Sequence, residues 1–418
     1  MNCSDNYEIW YLSMYEPLPV FAPNGKLMRS GHLARAFSRQ KVKTLLLTTD
    51  FDHHTHKHVT LPKDIEVIDD YLSVFYIPSK GYKKDISIKR YQHNLDFANK
   101  FIKFAREQSY KPKLIITQIP SLEMAQAVSE YSLKNKIPYV IDIRDLYPDN
   151  YKRIFPKKLS FLYSLFFKFL EIKKNKILNN ATAITAVSNT FANWASNSLN
   201  DNSNIKPKTF YIGYPPPVKI SDIEKNNFLI KKSIPLNKKI IVFVGTFSNL
   251  INFNHIFNAL KELGERRNSP WYLCIAGGGY NQEHIKEKCS NLKNAKFLGW
   301  LKPNEINLLY SASSLSITPY CNNDFMAMPN KFFECVAYEL PILNSLRGEM
   351  SDFIDNYNIG TNFKNTNTSE ILNTIKKYQD NLNLEFNQKE NLINLYRDKF
   401  QRDEIYDSFS KFIIDFIN

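Results

Sequence analysis

Residues 328–343 read MPNKFFECVAYELPIL, and this stretch encodes one helix followed by one strand. Pro329 and Asn330 form a helix-start signal, while Glu339, Leu340 and Pro341 stop that helix and open an apolar run. Between them Phe332, Phe333, Val336 and Ala337 recur at helical spacing, so one face is built for burial. Lys331 and Glu334 stand three apart and share a side of the helix. A charged pair in the first turn of a buried helix needs a partner, and its nature bears on function.

The same helix–strand alternation extends in both directions. KKIIVFVGTFS (238–248), WYLCIAGGG (271–279), AKFLGWL (295–301), SLSITPY (314–320) and ELPILNS (339–345) read as strands, with helices near 254–266, 281–290, 304–311 and 330–338. In the first half IWYLSMY (9–15), KTLLLTT (43–49), KLIITQI (113–119), PYVIDIRDLYP (138–148) and ATAITAVS (181–188) are strand-like runs between amphipathic stretches. This is the pattern of parallel sheets with crossover helices. Between the halves, YIGYPPPVKISDIEKNNF (211–228) is Pro-rich, polar and without periodicity. The expected fold is α/β: two Rossmann-like, doubly wound domains facing a cleft. The expected boundaries are an N-terminal domain over 1–215, a hinge over 216–235, a C-terminal domain over 236–395 and a C-terminal helix over 396–418 that packs back toward the N-terminal domain.

Composition narrows the function classes. At 418 residues, 43% hydrophobic and 23% charged, the chain has the make-up of a globular protein with two cores. The net charge of +14 is compatible with nucleic acid, an anionic membrane or phosphorylated ligands. Its lysines are spread thinly, and no RNA-binding signature, zinc finger or arginine-rich arm accompanies them, so no nucleic-acid partner is expected. Five cysteines, odd in number and never spaced as CxxC, read as reduced residues of a cytoplasmic protein. MNCSDNYEIWYLSMYEPLPV (1–20) lacks the pattern of an export signal, and no run reaches the ~20 apolar residues of a spanning helix.

In order along the chain, VFVGTF (242–247), LCIAGGG (273–279), FLGWL (297–301), SITPY (316–320) and PNKFFECVAYELPIL (329–343) resemble the nucleotide-sugar domain of GT-B glycosyltransferases, in particular glycosyltransferase family 4. APNGKLMRSGHLARAFSRQKVKTLLLTTDF (22–51), PYVIDIRDLYPD (138–149) and AITAVSNTF (183–191) resemble the same family's first domain. The likeness covers nearly the whole chain, with variable stretches near 59–90 and 195–235. It implies that Glu334 hydrogen-bonds the ribose hydroxyls of a nucleotide, since a carboxylate accepts from two adjacent hydroxyls at once. Balancing the helix dipole is the alternative reading of Glu334. Pro329, Asn330 and Lys331 then stand at the helix start near the diphosphate, where backbone N–H groups favour an anion. The PNK start resembles a branch acting in bacterial surface-polysaccharide assembly, such as O-antigen or capsule.

Further donor-binding residues implied by the likeness are Gly25 in the first loop, Gly245 and Thr246 after VFV, Gly277 at a strand end, and Leu298 with Trp300 bordering the base. Trp300 equally suits a hydrophobic plug. The sequence departs from the family at two places. The loop TFSNLINFN (246–254) lacks the family's Arg and Lys, which leaves Lys331, Arg29 and Lys302 as candidate phosphate partners or solvated cations. Met326 stands where many members carry a glutamate that contacts the transferred sugar. On the acceptor side, Arg144 and Asp145 end a strand, so they are the candidate catalytic residues, with Asp145 orienting the acceptor hydroxyl; the alternative for Asp145 is a turn before Tyr147-Pro148.

Two segments remain. DFDHHTHKH (50–58) carries an aspartate pair and four histidines at zinc-like density, yet it follows the second strand of the first domain, away from any nucleotide site. The resemblance implies a metal-independent donor site, and neither metal nor cofactor is expected. In YKRIFPKKLSFLYSLFFKFLEIKKNKIL (151–178), residues 159–172 are apolar on nearly every helical face. Phe161, Phe166 and Phe169, flanked by Lys157, Lys158, Lys173 and Lys174, suit a helix lying on an anionic membrane surface; a buried helix is the alternative. The expectation is a retaining glycosyltransferase, working at the inner face of the cytoplasmic membrane, that moves a sugar from a nucleotide-diphosphate sugar to a lipid-linked or growing surface glycan. A nucleotide-sugar 2-epimerase and a non-catalytic glycan-binding relative are the alternatives.

Overall fold

The computed structural model describes residues 6–22, 27–60, 65–153, 160–265, 269–321 and 326–417. The chain divides into two compact units, one made of residues 1–211 with 403–418 and the other of residues 212–402.

Unit 1 contains β1 (Ile9–Leu12), β2 (Thr44–Thr49), β3 (Phe51–Asp52), β4 (Lys57–His58), β5 (Ile65–Asp69), β6 (Leu72–Ile77), β7 (Leu114–Ile119), β8 (Tyr139–Ile143), β9 (Ala183–Ala186) and β10 (Lys208–Thr209). Among the described residues eight of these form one sheet in the order β10-β9-β8-β7-β1-β2-β6-β5, and β3 with β4 forms a separate hairpin. All neighbours in the large sheet are parallel except β5, which runs antiparallel to β6 at the edge. Strands β1, β2, β6, β7, β8 and β9 are buried at every position, as expected of a sheet covered on both faces. Serines at strand ends start the next helices: Ser121 caps Leu122–Asn135 and Ser188 caps Asn189–Ser196, each accepting a backbone N–H.

Unit 2 contains β11 (Lys239–Val244), β12 (Trp271–Ala276), β13 (Ala295–Gly299), β14 (Leu315–Thr318), β15 (Ile342–Asn344) and β16 (Gly360–Asn362), all parallel in the order β13-β12-β11-β14-β15-β16. Its core packs Ile241, Phe243, Leu273, Ile317 and Leu343 of the sheet against Phe257, Leu260 and Ile375 of the helices. The expected α/β architecture of two doubly wound units is thus present.

The boundaries fall elsewhere than polarity indicated. Residues 216–235 lie within unit 2 and hold a helix, Asp222–Lys231, which Ser221 and Glu224 start with a reciprocal capping box. The C-terminal helix begins at Arg402, because a π-helical turn at Tyr396–Phe400 and extended Gln401 break it from the preceding one. Its Tyr406, Phe409 and Ile413 enter the core of unit 1, where the Phe409 and Phe210 rings stack with centroids 4.4 Å apart.

Each sheet reverses its strand order once, between β1 and β7 in unit 1 and between β11 and β14 in unit 2. Crevices at the carboxyl ends of strands beside such reversals are where open α/β sheets bind ligands.

Candidate functional site

In unit 2 the loops after β11, β12 and β13 touch through glycine. Gly245 donates its N–H to Ala276 (2.9 Å), and Gly277 donates to Gly299 (2.7 Å). Gly277 has φ +131°, and a Cβ there would lie 1.9 Å from the carbonyl oxygen of Gly245, so only glycine fits. A Cβ on Gly245 would lie 1.8 Å from Lys331 Nζ. The missing side chain therefore admits the ammonium group, which also stands 4.4 Å from the Phe243 ring centroid. Lys331 belongs to the helix Asn330–Ala337, whose Pro329 N-cap supplies no side-chain bond, so backbone donors and a cation face one glycine-lined surface. Thr246, Asn330 and Lys302 are exposed beside these elements, and Leu298 and Met326 are half-buried. Trp300 is 80% exposed, with a ring atom 3.9 Å from where a Gly278 Cβ would be, so it is not a plug.

One turn beyond Lys331, the Glu334 Oε2 accepts a 2.8 Å hydrogen bond from Tyr310 Oη. Burial, reinforced by the Glu334 charge, holds the Tyr310 phenol well above its ordinary pKa, and the same two causes push Tyr338 up to about 12. Tyr310 is therefore a fixed donor that orients Glu334, and sequence reasoning missed it because it lies on another helix. Next to the same β11–β14 reversal is a cavity of about 350 Å³, bordered by Asn249, Asn252, Asn254, His284 and Cys321.

In unit 1 the two arginines proposed for anions or catalysis are engaged in an internal network. Arg29, 6% exposed, grips Asp142 through Nε (2.8 Å) and Nη2 (2.9 Å), and its Nη1 donates to the Phe210 carbonyl (2.7 Å). Arg144 Nε also donates to Asp142 (2.9 Å), while its other nitrogens reach Glu16 (3.0 Å) and the Tyr11 hydroxyl (2.6 Å). Burial opposes ionisation of Asp142, but Arg29 and Arg144 outweigh it and hold the carboxyl below its ordinary range. Two cations and two carboxylates balance, so the reading of Arg29 as a phosphate partner is corrected: its charge is spent on Asp142.

Asp145 diverges from its neighbour. It lines a cavity of about 160 Å³ at the β1–β7 reversal, together with Tyr15, Arg90, Asn94 and Tyr147. Its Oδ1 accepts from the Leu146 N–H (2.8 Å) and its Oδ2 from Asn150 Nδ2 (2.6 Å). Arg144 does not line this space, so of the two catalytic candidates Asp145 is the one that borders this cavity.

The helix Ser160–Asn179 buries Phe167, Leu170, Lys174, Ile177 and Leu178 and exposes Phe166 (52%), Phe169 (64%) and Ile172 (60%). Lys174 is 3% exposed with Nζ 4.4 Å from the Trp194 ring centroid, and Lys173 faces Glu123 at 3.8 Å. Helical phase places both lysines toward the protein, which corrects their assignment to a membrane surface. Gly25, Lys157 and Lys158 lie outside the described residues, as does the side chain of Phe161. Among the histidines, His53 and His56 meet Asp85, a residue the sequence reading did not connect to them.

Comparison with known proteins bears on the fold. Residues 224–394, all within unit 2, match the family described as Glycosyl transferases group 1. An uncharacterized glycosyltransferase of Methanocaldococcus jannaschii is 25% identical over 155 residues, 36% of this chain and 38% of that protein. Among solved structures, sucrose-phosphate synthase of Thermosynechococcus elongatus superposes with a TM-score of 0.71 at 13% identity, covering 98% of this chain and 99% of that one. Anabaena HepE in complex with UDP gives 0.66 at 13% identity, covering 98% and 100%. A glycosyltransferase from Rickettsia africae gives 0.69 at 14% identity, covering 99% of both chains. The fold is that of GT-B glycosyltransferases, and the matches support a glycosyltransferase. They lend no support to the epimerase alternative.

Proposed function

We propose that the protein transfers a sugar from a nucleotide-diphosphate sugar to a hydroxyl group of a lipid-linked or growing surface glycan, in the manner of glycosyltransferase family 4. The observation that carries this reading is the juxtaposition of Gly245, Gly277 and Lys331 with the Tyr310-oriented Glu334 on one short helix. Backbone N–H groups, a cation and close glycine backbone suit a diphosphate, and a carboxylate one turn away suits ribose hydroxyls. The UDP complex of HepE, a protein of similar fold, accords with a nucleotide ligand. Asp145, at the reversal in unit 1, is assigned to orient the acceptor hydroxyl. Retention of configuration and a metal-independent donor site belong to the same proposal.

Glu334→Ala is expected to weaken nucleoside-diphosphate binding roughly 10- to 100-fold, the ~1.5–3 kcal/mol of a charge-assisted hydrogen bond. Titration calorimetry measures this, and unchanged affinity in the folded variant removes the ribose role. Glu334→Gln, which still offers Tyr310 an acceptor, is the folding control. A panel of nucleotide sugars then reads the reaction: nucleotide release that requires an added glycan supports transfer, and its absence with every donor counts against it.

Peripheral membrane binding rests on the exposed row Phe166, Phe169 and Ile172. Changing all three to Ser is expected to release the protein from anionic vesicles, since each buried apolar side chain contributes ~1.5–3 kcal/mol. The thermal midpoint should hold because the row is exposed already. Wild-type protein that never sediments with vesicles refutes this part.

A further inference from the structure

We propose a divalent-cation site, suited to Zn²⁺, formed by His53 Nδ1, His56 Nε2 and Asp85 Oδ1 in unit 1. The three ligand atoms lie within 4.8 Å of one another, with His56–Asp85 at 2.9 Å and His53–Asp85 at 3.7 Å. Tetrahedral zinc with bonds of ~2.0–2.1 Å places its ligands ~3.3 Å apart, so small rotations of the two half-buried imidazoles and of the exposed Asp85 complete the set. Two imidazoles and one carboxylate match the donor types zinc prefers, and three protein ligands leave a fourth position for water.

The turn that carries the histidines is firmly shaped. His53 and His56 lie between β3 and β4, where Asp52 Oδ1 accepts the N–H groups of both His54 and Thr55 at 2.8 Å. His56 adopts φ +54°, a left-handed conformation that a non-glycine residue holds at some cost and that turns its ring toward Asp85. Tyr82 Oη hydrogen-bonds His53 Nδ1, and since that nitrogen has one lone pair the metal would displace the contact. Arg90 opposes a cation: its Nη1 donates to the Asp85 carbonyl at 3.0 Å, and the Asp85 carboxylate offsets that charge. His54 and His58 stand outside the set, and His58 pairs instead with Asp50 at 3.0 Å.

Such an ion would tie the β3–β4 hairpin to the segment 85–90, which begins the helix Ile88–Glu107 and borders the 160 Å³ cavity. This role is a clamp, separate from donor binding, and it holds whichever reaction the protein performs.

The test uses the full-length, tag-free protein, stripped with chelator, loaded with Zn²⁺ or Co²⁺ and passed through a desalting column. The expected result is one retained equivalent, with Co²⁺ giving visible absorption of a tetrahedral nitrogen–oxygen site. His56→Ala and Asp85→Asn should each weaken retention roughly tenfold or more, while His58→Ala retains the metal. Zn²⁺ should raise the thermal midpoint of the wild type and of His58→Ala only. Far-UV circular dichroism establishes that each variant is folded. A wild type that retains no metal, or retention that survives both ligand substitutions, overturns the site and leaves His56–Asp85 as a surface hydrogen bond.

Discussion

Asp142→Ala is expected to destabilise unit 1 by about 3–5 kcal/mol, the effect of leaving buried charge without its partner. The aspartate accepts from Arg29 twice, from Arg144 once and from Thr185 Oγ1 at 2.8 Å, with its side chain fully buried. Its removal strands the buried Arg29 guanidinium and loosens that of Arg144, whose side chain is 15% exposed. Chemical denaturation followed by a probe confined to unit 1 measures the change, since the two units need not unfold together. A loss below about 1 kcal/mol would show that the network contributes little. The pH dependence has a definite sign. Because the folded pKa of Asp142 is depressed, its stabilisation is complete above the unfolded value of ~3.9 and fades as pH falls through the lower folded value.

Asp145→Asn should reduce turnover 100-fold or more while leaving nucleoside-diphosphate affinity within about twofold. The basis is its place on a cavity of unit 1, whereas the glycine-lined surface assigned to the diphosphate belongs to unit 2. Asparagine keeps the shape of the side chain and an acceptor for the Leu146 N–H, and Asn150, whose Oδ1 has no partner, can turn its amide to accept from the new NH2, so lost rate reports the missing carboxylate and not a collapsed turn. Steady-state kinetics with saturating donor, paired with calorimetry, separates the two quantities. Normal turnover with weakened donor binding would reverse the assignment.

Periodicity made most strands visible, because runs such as IIVFV and LIIT are buried on both faces and contain little else. The edge strand β5 and its inner neighbour β6 went unread inside a stretch set aside as variable; β5 is half-exposed and pairs antiparallel, so it lacks the apolar signature, whereas β6 is buried throughout and its LSVFYI run was legible. At the candidate site, Glu334 and Lys331 were legible because their helix is short and otherwise apolar. Tyr310, 24 residues away, was not, and neither was the capture of Arg29 by Asp142 across 113 residues. A charged side chain in a sequence shows that a partner is needed but not which one the fold delivers. Lys173 and Lys174 teach the same about helical phase, since a cluster of lysines looked like a surface until the buried face was fixed by Leu170 and Ile177.

Because residues 403–418 belong with residues 1–211, unit 1 is discontinuous in the chain and unit 2 is an uninterrupted insertion. During synthesis the intervening residues 212–402 take roughly 10–40 s to add at ~5–20 residues per second. Throughout that time the nascent N-terminal sheet lacks Phe409 against Phe210 and Tyr406 near the Arg29 guanidinium. Unit 2 has its whole sequence first, so the later-made unit is the earlier to be completed. Translation that stops anywhere short of residue 403 leaves the older part of the chain with an uncovered apolar face where Tyr406, Phe409 and Ile413 would pack.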